Sequence, residues 1–241
     1  MKVLTPSKDR VEPKCPVARQ CGGCQIQEMR YEAQLAFKQK MVQNNLERIG
    51  GLSDFEMYPV IGMETPYAYR NKAQFPVGED KDGNIVIGFY AGRTHHIVEQ
   101  TDCCIGAPEN GEVLRKVKAY MQKNQIRPYN EEHHSGIVRH ILIRTGYHTK
   151  EIMVCLIVNA AKASCLKNAE QLTESLREMD GMTSVMVNFN TEKTNVILGK
   201  KSEVLWGQPY IEDFIGDVKY QISPQSFFQV NPMQTEKLYA K

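Results

Sequence analysis

The chain has 241 residues, 41% hydrophobic and 24% charged, with a net charge of +2. That length suits one large domain or two small ones, the composition is that of a globular protein, and no apolar run is long enough to cross a bilayer. The near-neutral total gives no bulk electrostatic sign of a nucleic-acid binder, and the basic N-terminus lacks the apolar stretch of a secretory signal, so a cytoplasmic location is expected.

Residues 1–50 are locally basic, with Lys8, Arg10, Lys14 and Arg19 crowding the first cysteines. A solvated basic face would give the same pattern. Residues 27–49 read as a helix: Leu35, Val42, Leu46 and Ile49 recur at helical spacing and are assigned to the core, and Gly50-Gly51 stops the run. From 69 to 98 the pattern turns to strands, and Asp80-Lys81-Asp82-Gly83-Asn84 between two apolar runs predicts a hairpin. Residues 109–123 read as a helix through Val113, Val117 and Met121. Residues 137–144 and 151–158 read as strands joined by Gly146-Tyr147-His148-Thr149. Leu166, Ala169, Leu172, Leu176 and Met179 give a third helix, and short strands follow at 184–189, at 195–198 and on to 222. This order predicts an α+β fold: a mixed, mostly antiparallel sheet with packed helices.

Cys15, Cys21 and Cys24 form a C-x5-C-x2-C pattern whose inner part is Cys21-Gly22-Gly23-Cys24. Two ligands this close can grip one metal centre if the backbone turns sharply, and glycine permits both the turn and the approach of N–H groups to sulfur. A fourth thiolate must come from elsewhere, and Cys103 and Cys104 sit together after a strand in Thr101-Asp102-Cys103-Cys104-Ile105. Structural zinc usually takes two local pairs of ligands. Three plus one fits a four-cysteine [4Fe–4S] cluster better, although spacing alone leaves zinc open. Lys14 and Arg19 would offset the charge of such a centre. Cys155, inside an apolar run, and Cys165, at a helix start, read as buried free thiols. His95-His96 and His133-His134 invite a metal reading, but neither pair sits in a recognised metal-ligand spacing and they are not read as a metal site. Tyr67, Tyr69, Arg70, Lys72 and Arg93 mix aromatic and basic character, which suits bases and phosphates or an ordinary solvent-facing strand. Arg139-His140 could also face RNA.

These residues resemble the iron–sulfur RNA uracil-5 methyltransferases that modify 23S ribosomal RNA. The likeness runs through Cys15-Pro16-Val17, Cys21-Gly22-Gly23-Cys24-Gln25-Ile26-Gln27, Tyr31, Gln34, Lys38, the Leu46-Glu47-Arg48-Ile49-Gly50 helix end, and Pro66-Tyr67-Ala68-Tyr69-Arg70-Asn71-Lys72. It continues in Ser223-Pro224-Gln225-Ser226-Phe227-Phe228-Gln229-Val230-Asn231, and so spans nearly the whole chain. It implies that Cys15, Cys21, Cys24 and Cys103 hold the cluster, with Cys103 favoured over Cys104. It also implies that Gln229 contacts S-adenosylmethionine, that Phe227 lies near the substrate base, and that Tyr69, Arg70, Lys72 and Arg93 face RNA.

By the same resemblance residues 1–14 are the tail of a small β-barrel RNA-binding domain, 15–222 a central cluster and RNA-binding domain, and 223–241 the start of a class I methyltransferase domain. The helix at 27–49 would pack on that catalytic domain. No Gly-rich cofactor turn and no Ser-Cys-Asn-Pro nucleophile motif occurs in the 241 residues. The expectation is a monomeric, membrane-free fragment of an enzyme of this transferase class, inactive alone, with ribosomal RNA as partner. The alternative is a stand-alone iron–sulfur or zinc RNA-binding module without catalysis. The two differ at 227–241, where a finished module should end in a capped element and a fragment should leave Phe227, Phe228 and Val230 without partners.

Overall fold

A computed structural model describes residues 3–241. The elements, in chain order, are α1 (Tyr31–Asn44), β1 (Lys72–Glu79), β2 (Ile85–Tyr90), β3 (Ile97–Glu99), α2 (Asn110–Lys123), β4 (Val138–Thr145), β5 (Ile152–Val158), α3 (Ala169–Arg177), β6 (Met182–Phe189), β7 (Lys201–Gly207), β8 (Ile211–Ile215), β9 (Val218–Ile222) and α4 (Pro232–Tyr239). Seven strands form one sheet in the order β3-β2-β1-β4-β5-β6-β7, and β8 and β9 form a separate hairpin. Every neighbouring pair is antiparallel except β5 and β6, which α3 joins as a parallel crossover. The expected α+β fold with a mixed, mostly antiparallel sheet is what the chain forms.

The sheet is buried on both faces at its centre: β5 is a continuous apolar run, and β4 is buried from Val138 to Arg144 although it carries Arg139, His140 and Arg144. On one face α2 and α3 lay Val113, Val117, Met121, Leu172 and Leu176 against Phe75, Ile87, Ile141, Ile143 and Leu156, all inaccessible to solvent or nearly so. Each such side chain contributes on the order of 2 kcal/mol by leaving water. On the other face Leu142, Met153, Cys155, Ile157 and Met186 pack under Ile211, Ile222 and Phe228. The β8–β9 hairpin therefore roofs only the β4–β6 part of this second face.

The Asp80 turn forms as expected: its carboxylate accepts from the Asp82 and Asn84 backbone N–H groups at 2.9 and 2.8 Å and closes the β1–β2 hairpin. The first helix differs. It begins at Tyr31, ends in a π-helical turn at Asn45–Ile49, and buries none of its residues. Val42 and Ile49 are exposed, so they are not core. Its apolar positions are too few, and too interleaved with Lys38, Gln39 and Lys40, to make a continuous buried stripe.

Residues 195–198 form no strand. The carbonyls that a ladder would use are taken by side chains. Arg139 donates to the Glu192 and Thr194 oxygens, and Asn190 Nδ2 to those of Val196 and Ile197. Arg139, so engaged, and His140 are both buried, beside a bulge in β4.

Of the 1–14 segment, Met1 and Lys2 lie outside the described residues. The remainder lies against the cysteine segment through an Arg10–Met29 bridge and an Arg10–Glu28 ion pair of 2.6 Å. Among the described residues no helix is long and apolar enough to cross a membrane.

Candidate cysteine centre and nucleic-acid interface

Three local turns deliver the first cysteines. The Ala18 backbone N–H donates to the Cys15 carbonyl, and those of Gln20 and Cys21 donate to that of Val17. Cys21 then bridges to Ala91, just beyond β2, while the Gly22 N–H donates to the Tyr90 carbonyl at 2.9 Å. A Cβ on Gly22 would stand 3.0 Å from the Tyr90 oxygen and 3.2 Å from Gly92, so this close crossing favours glycine. The Gly23 N–H lies 3.4 Å from Cys21 Sγ. From the other side, the loop after β3 brings Cys103 and Cys104, held where the Ala68 and Arg70 N–H groups donate to the Cys104 and Ile105 carbonyls.

The result is a cavity of about 60 Å³ lined by five thiols, those of Cys15, Cys21, Cys24, Cys103 and Cys104, with Val17, Ala18, Ala73, Phe89 and Ile105 as apolar wall. All seven cysteines of the chain are free thiols, and Cys155, buried in the core, and Cys165, on a 3₁₀ turn, stand elsewhere. Burial, reinforced by Cys103, Cys104, Cys21 and Cys15, pushes the Cys24 thiol up to about 11. Burial likewise raises Cys21 and Cys104. Among the described residues no group of three or more His, Cys, Asp or Glu lies close enough to hold one metal ion. A tetrahedral zinc site requires sulfurs about 3.8 Å apart. The five thiols line one cavity.

Cys103 and Cys104 differ in their partners. After burial, Cys103 raises the Cys24 thiol most, whereas the Cys104 sulfur accepts from Gln27 Nε2 at 3.5 Å. Gln100 Nε2 reaches Cys15 Sγ at 3.7 Å. The expected cation arrangement is half right. Lys14 sits over the Tyr67 ring at 4.5 Å and near enough to Cys104 to favour its thiolate. Arg19 is turned away and ion-paired with Glu28 and Glu12.

Beside the thiols opens a groove of about 480 Å³ that shares Cys24, Arg70 and Ile105 with the first cavity and is walled by Tyr67, Tyr69 and Lys38. Tyr31 and Gln34 line it too. Lys72 does not line it. It is half-buried and its pKa is lowered, by burial first and by Arg144 second. Arg93 is exposed on the β2–β3 turn at a φ of 61°, one residue past the Gly22–Gly92 crossing.

Phe227 is 87% exposed, while Phe228 is buried in the second core and Val230 is 37% exposed. The segment between is pinned through its backbone. Arg144 Nη2 donates to the carbonyls of Pro224, at 3.3 Å, and Ser226. Asn71 receives the rest, its Nδ2 donating to the Gln229 oxygen and its N–H to that of Val230. Helix α4 follows, capped by Asn231, which accepts from the Gln234 N–H, and tied to Ile61 by Gln234 Nε2. Sequence reasoning missed this clamp. Its signal was Arg144 directly after the apolar Ile141-Leu142-Ile143, since a charge buried there needs internal acceptors.

No known protein-family profile matches the chain. Over nearly its whole length it is similar to proteins named RNA methyltransferases. The relative from Clostridium tetani is 45% identical over 242 residues, covering 100% of this chain and 52% of that protein. The relative from Halalkalibacterium halodurans is 47% identical over 240 residues, covering 99% and 52%. Both are named as uncharacterized. A crystal structure of Pyrococcus abyssi tRNA (uracil-54, C5)-methyltransferase with S-adenosyl-L-homocysteine superposes with a TM-score of 0.77 at 27% identity, covering 99% of this chain and 52% of that one. The chain thus spans about half the length of the curated relatives it matches.

Proposed function

We propose that this chain is the cluster-bearing and RNA-holding part of an RNA uracil-5 methyltransferase that uses S-adenosylmethionine on a uridine of 23S ribosomal RNA. The observation that carries the reading is the placement of five thiols around one apolar cavity that opens beside an aromatic and basic groove. The similarity to named RNA methyltransferases and to a solved uracil-5 methyltransferase supports it. The solved neighbour acts on tRNA by its name, which keeps tRNA as a second substrate reading.

In this reading Cys15, Cys21, Cys24 and Cys103 hold a [4Fe–4S] cluster, and the fit rests on thiols that line one cavity, as a centre of several atoms requires. Cys104, hydrogen-bonded to Gln27, is the spare. Tyr67 and Tyr69 stack bases and Arg70 pairs with phosphate. Phe227 meets the target base, which must leave its stack to be reached, and Gln229 contacts the cofactor, both held by the Asn71–Arg144 clamp. S-adenosylmethionine supplies an electrophilic methyl group when bound. Methylation at C5 also needs a nucleophile at C6 and a base at C5. No residue here is assigned either role, so these 241 residues alone carry out no turnover.

The test is tritium release. The full-length protein containing this chain is given 23S ribosomal RNA and tRNA transcripts made with [5-³H]uridine. Cofactor-dependent release into water from the 23S transcript is expected. Methyl incorporation with the C5 tritium retained would refute C5 chemistry, and release from tRNA alone would replace the ribosomal target.

A further inference from the structure

A second cavity, of about 490 Å³, lies where the β8–β9 hairpin does not roof the sheet. Phe89 lines the cysteine cavity and the next residue, Tyr90, lines this one, because successive residues of a strand point to opposite faces. Its size is that of a small-molecule or nucleobase site.

The walls are chemically specific. The Tyr90 and His95 rings stack, 5.0 Å apart and 22° from parallel, and His140 meets Tyr90 edge-on at 6.4 Å. Glu131 accepts from His95 Nδ1 at 2.5 Å and from the Tyr90 hydroxyl at 3.3 Å, with about half its side chain still in solvent. A carboxylate has roughly four lone-pair sites, so it keeps acceptor capacity. Four carboxylates line the cavity (Glu79, Asp80, Glu131 and Glu132), and the one Lys or Arg that lines it is Arg139. Arg139 is occupied by the Asn190, Glu192 and Thr194 carbonyls and by the Tyr129 ring. The fold brings Glu131 to His95, yet no three-ligand metal group results among the described residues.

A site with stacking surface, spare carboxylate acceptors and no free cation disfavours phosphate and favours a flat, neutral ligand with adjacent donors. Guanine presents N1–H and N2–H side by side to a carboxylate. Uracil presents one N–H between two acceptors, which Glu131 would repel.

We propose that this cavity binds a splayed-out guanine of the RNA substrate, its donor edge on Glu131 and its face on the exposed side of His95. Arg93, exposed on the adjoining turn, takes the phosphate outside. The inference rests on the RNA reading above and adds a second, base-selective contact to it.

The test uses the 241-residue chain and fluorescein-labelled pentanucleotides: UUGUU, UUAUU, UUUUU, and UUGUU carrying 1-methylguanosine. UUGUU should bind about ten-fold tighter than the all-uridine and methylated forms. Glu131→Gln should abolish that preference while leaving UUUUU affinity unchanged, and His95→Ala should weaken UUGUU and UUAUU alike. Equal affinity for guanosine and 1-methylguanosine oligomers, or a preference that survives Glu131→Gln, overturns the proposal. Tighter binding of free GTP than of UUGUU overturns RNA as the source of the base. Binding of guanosine with no oligonucleotide bound overturns the RNA reading itself. Binding of all oligomers without preference spares that reading and overturns only this pocket.

Discussion

Asn71 holds Gln229 across 158 residues of chain, its side-chain amide donating to the Gln229 carbonyl oxygen at 3.0 Å. Arg144 secures the other end of the same segment from inside the core, where it is 2% exposed. Replacing it by methionine keeps the volume but removes charged donors from two carbonyls. The expected loss is about 2–4 kcal/mol in urea unfolding, with faster amide exchange at 224–230. A loss below about 0.5 kcal/mol would show that the clamp holds nothing in place.

Anaerobic purification tests the cysteine centre. The wild-type chain should be brown, with broad absorbance near about 400 nm. Cys21→Ser should lose the colour and Cys165→Ser keep it. Colourless wild-type protein with stoichiometric zinc would overturn the cluster.

The groove carries a separate prediction. Arg70→Glu should weaken RNA binding and lower the slope of log K against log salt by about one, the effect of one lost phosphate contact. Lys72→Glu should do less, because Lys72 is half-buried and set opposite Arg144 in the β1–β4 ladder. An unchanged slope in Arg70→Glu removes that residue from the interface.

Legibility in sequence followed how local the cause was. The β1–β2 turn, α2 with Val113, Val117 and Met121, and the strands β4 and β5 are each set by their own residues, and each formed within a residue or two of its expected bounds. The meeting of Cys15, Cys21 and Cys24 with Cys103 and Cys104 is not local. It needs the β1–β2–β3 meander to carry the second pair back; the need for a fourth thiolate points to that pair, and the resemblance singles out Cys103. Residues 195–198 form no ladder because Asn190 captures the Val196 and Ile197 carbonyls. Arg139 and His140 are both buried beside a bulge in β4, where simple alternation leaves one of two neighbours outside.

His140 gives the fold an acid dependence. Burial first, and the Arg139 charge second, hold its pKa at about 4 against an ordinary 6.5, while Glu131 pulls the other way. Above pH 6.5 the imidazole is neutral whether folded or not. As pH falls from there toward 4 the unfolded chain takes up a proton that the folded one refuses, so stability declines, by on the order of 3 kcal/mol across that window. His140→Gln should remove this part of the decline when urea unfolding is compared at neutral and mildly acidic pH. The same decline in both proteins would refute the assignment.

Asp213 is fully buried, and its carboxylate accepts from the Tyr147 and His148 N–H groups at 2.8 and 2.9 Å. Asp213→Ala should destabilise by about 2–4 kcal/mol, since both donors lose their acceptor in a dry setting. Differential scanning calorimetry would register it as a lowered midpoint.

Helix α1 is fastened mainly by polar side chains, Tyr31 Oη accepting from the Met63 N–H and Gln39 Oε1 from that of Val60. A segment so fastened can unravel without breaching the main core, at a small fraction of the free energy of global unfolding. Trypsin should therefore cut after Lys38 and Lys40 while the seven-stranded sheet stays intact, and a ligand bridging α1 to the groove would register first as protection from that cleavage.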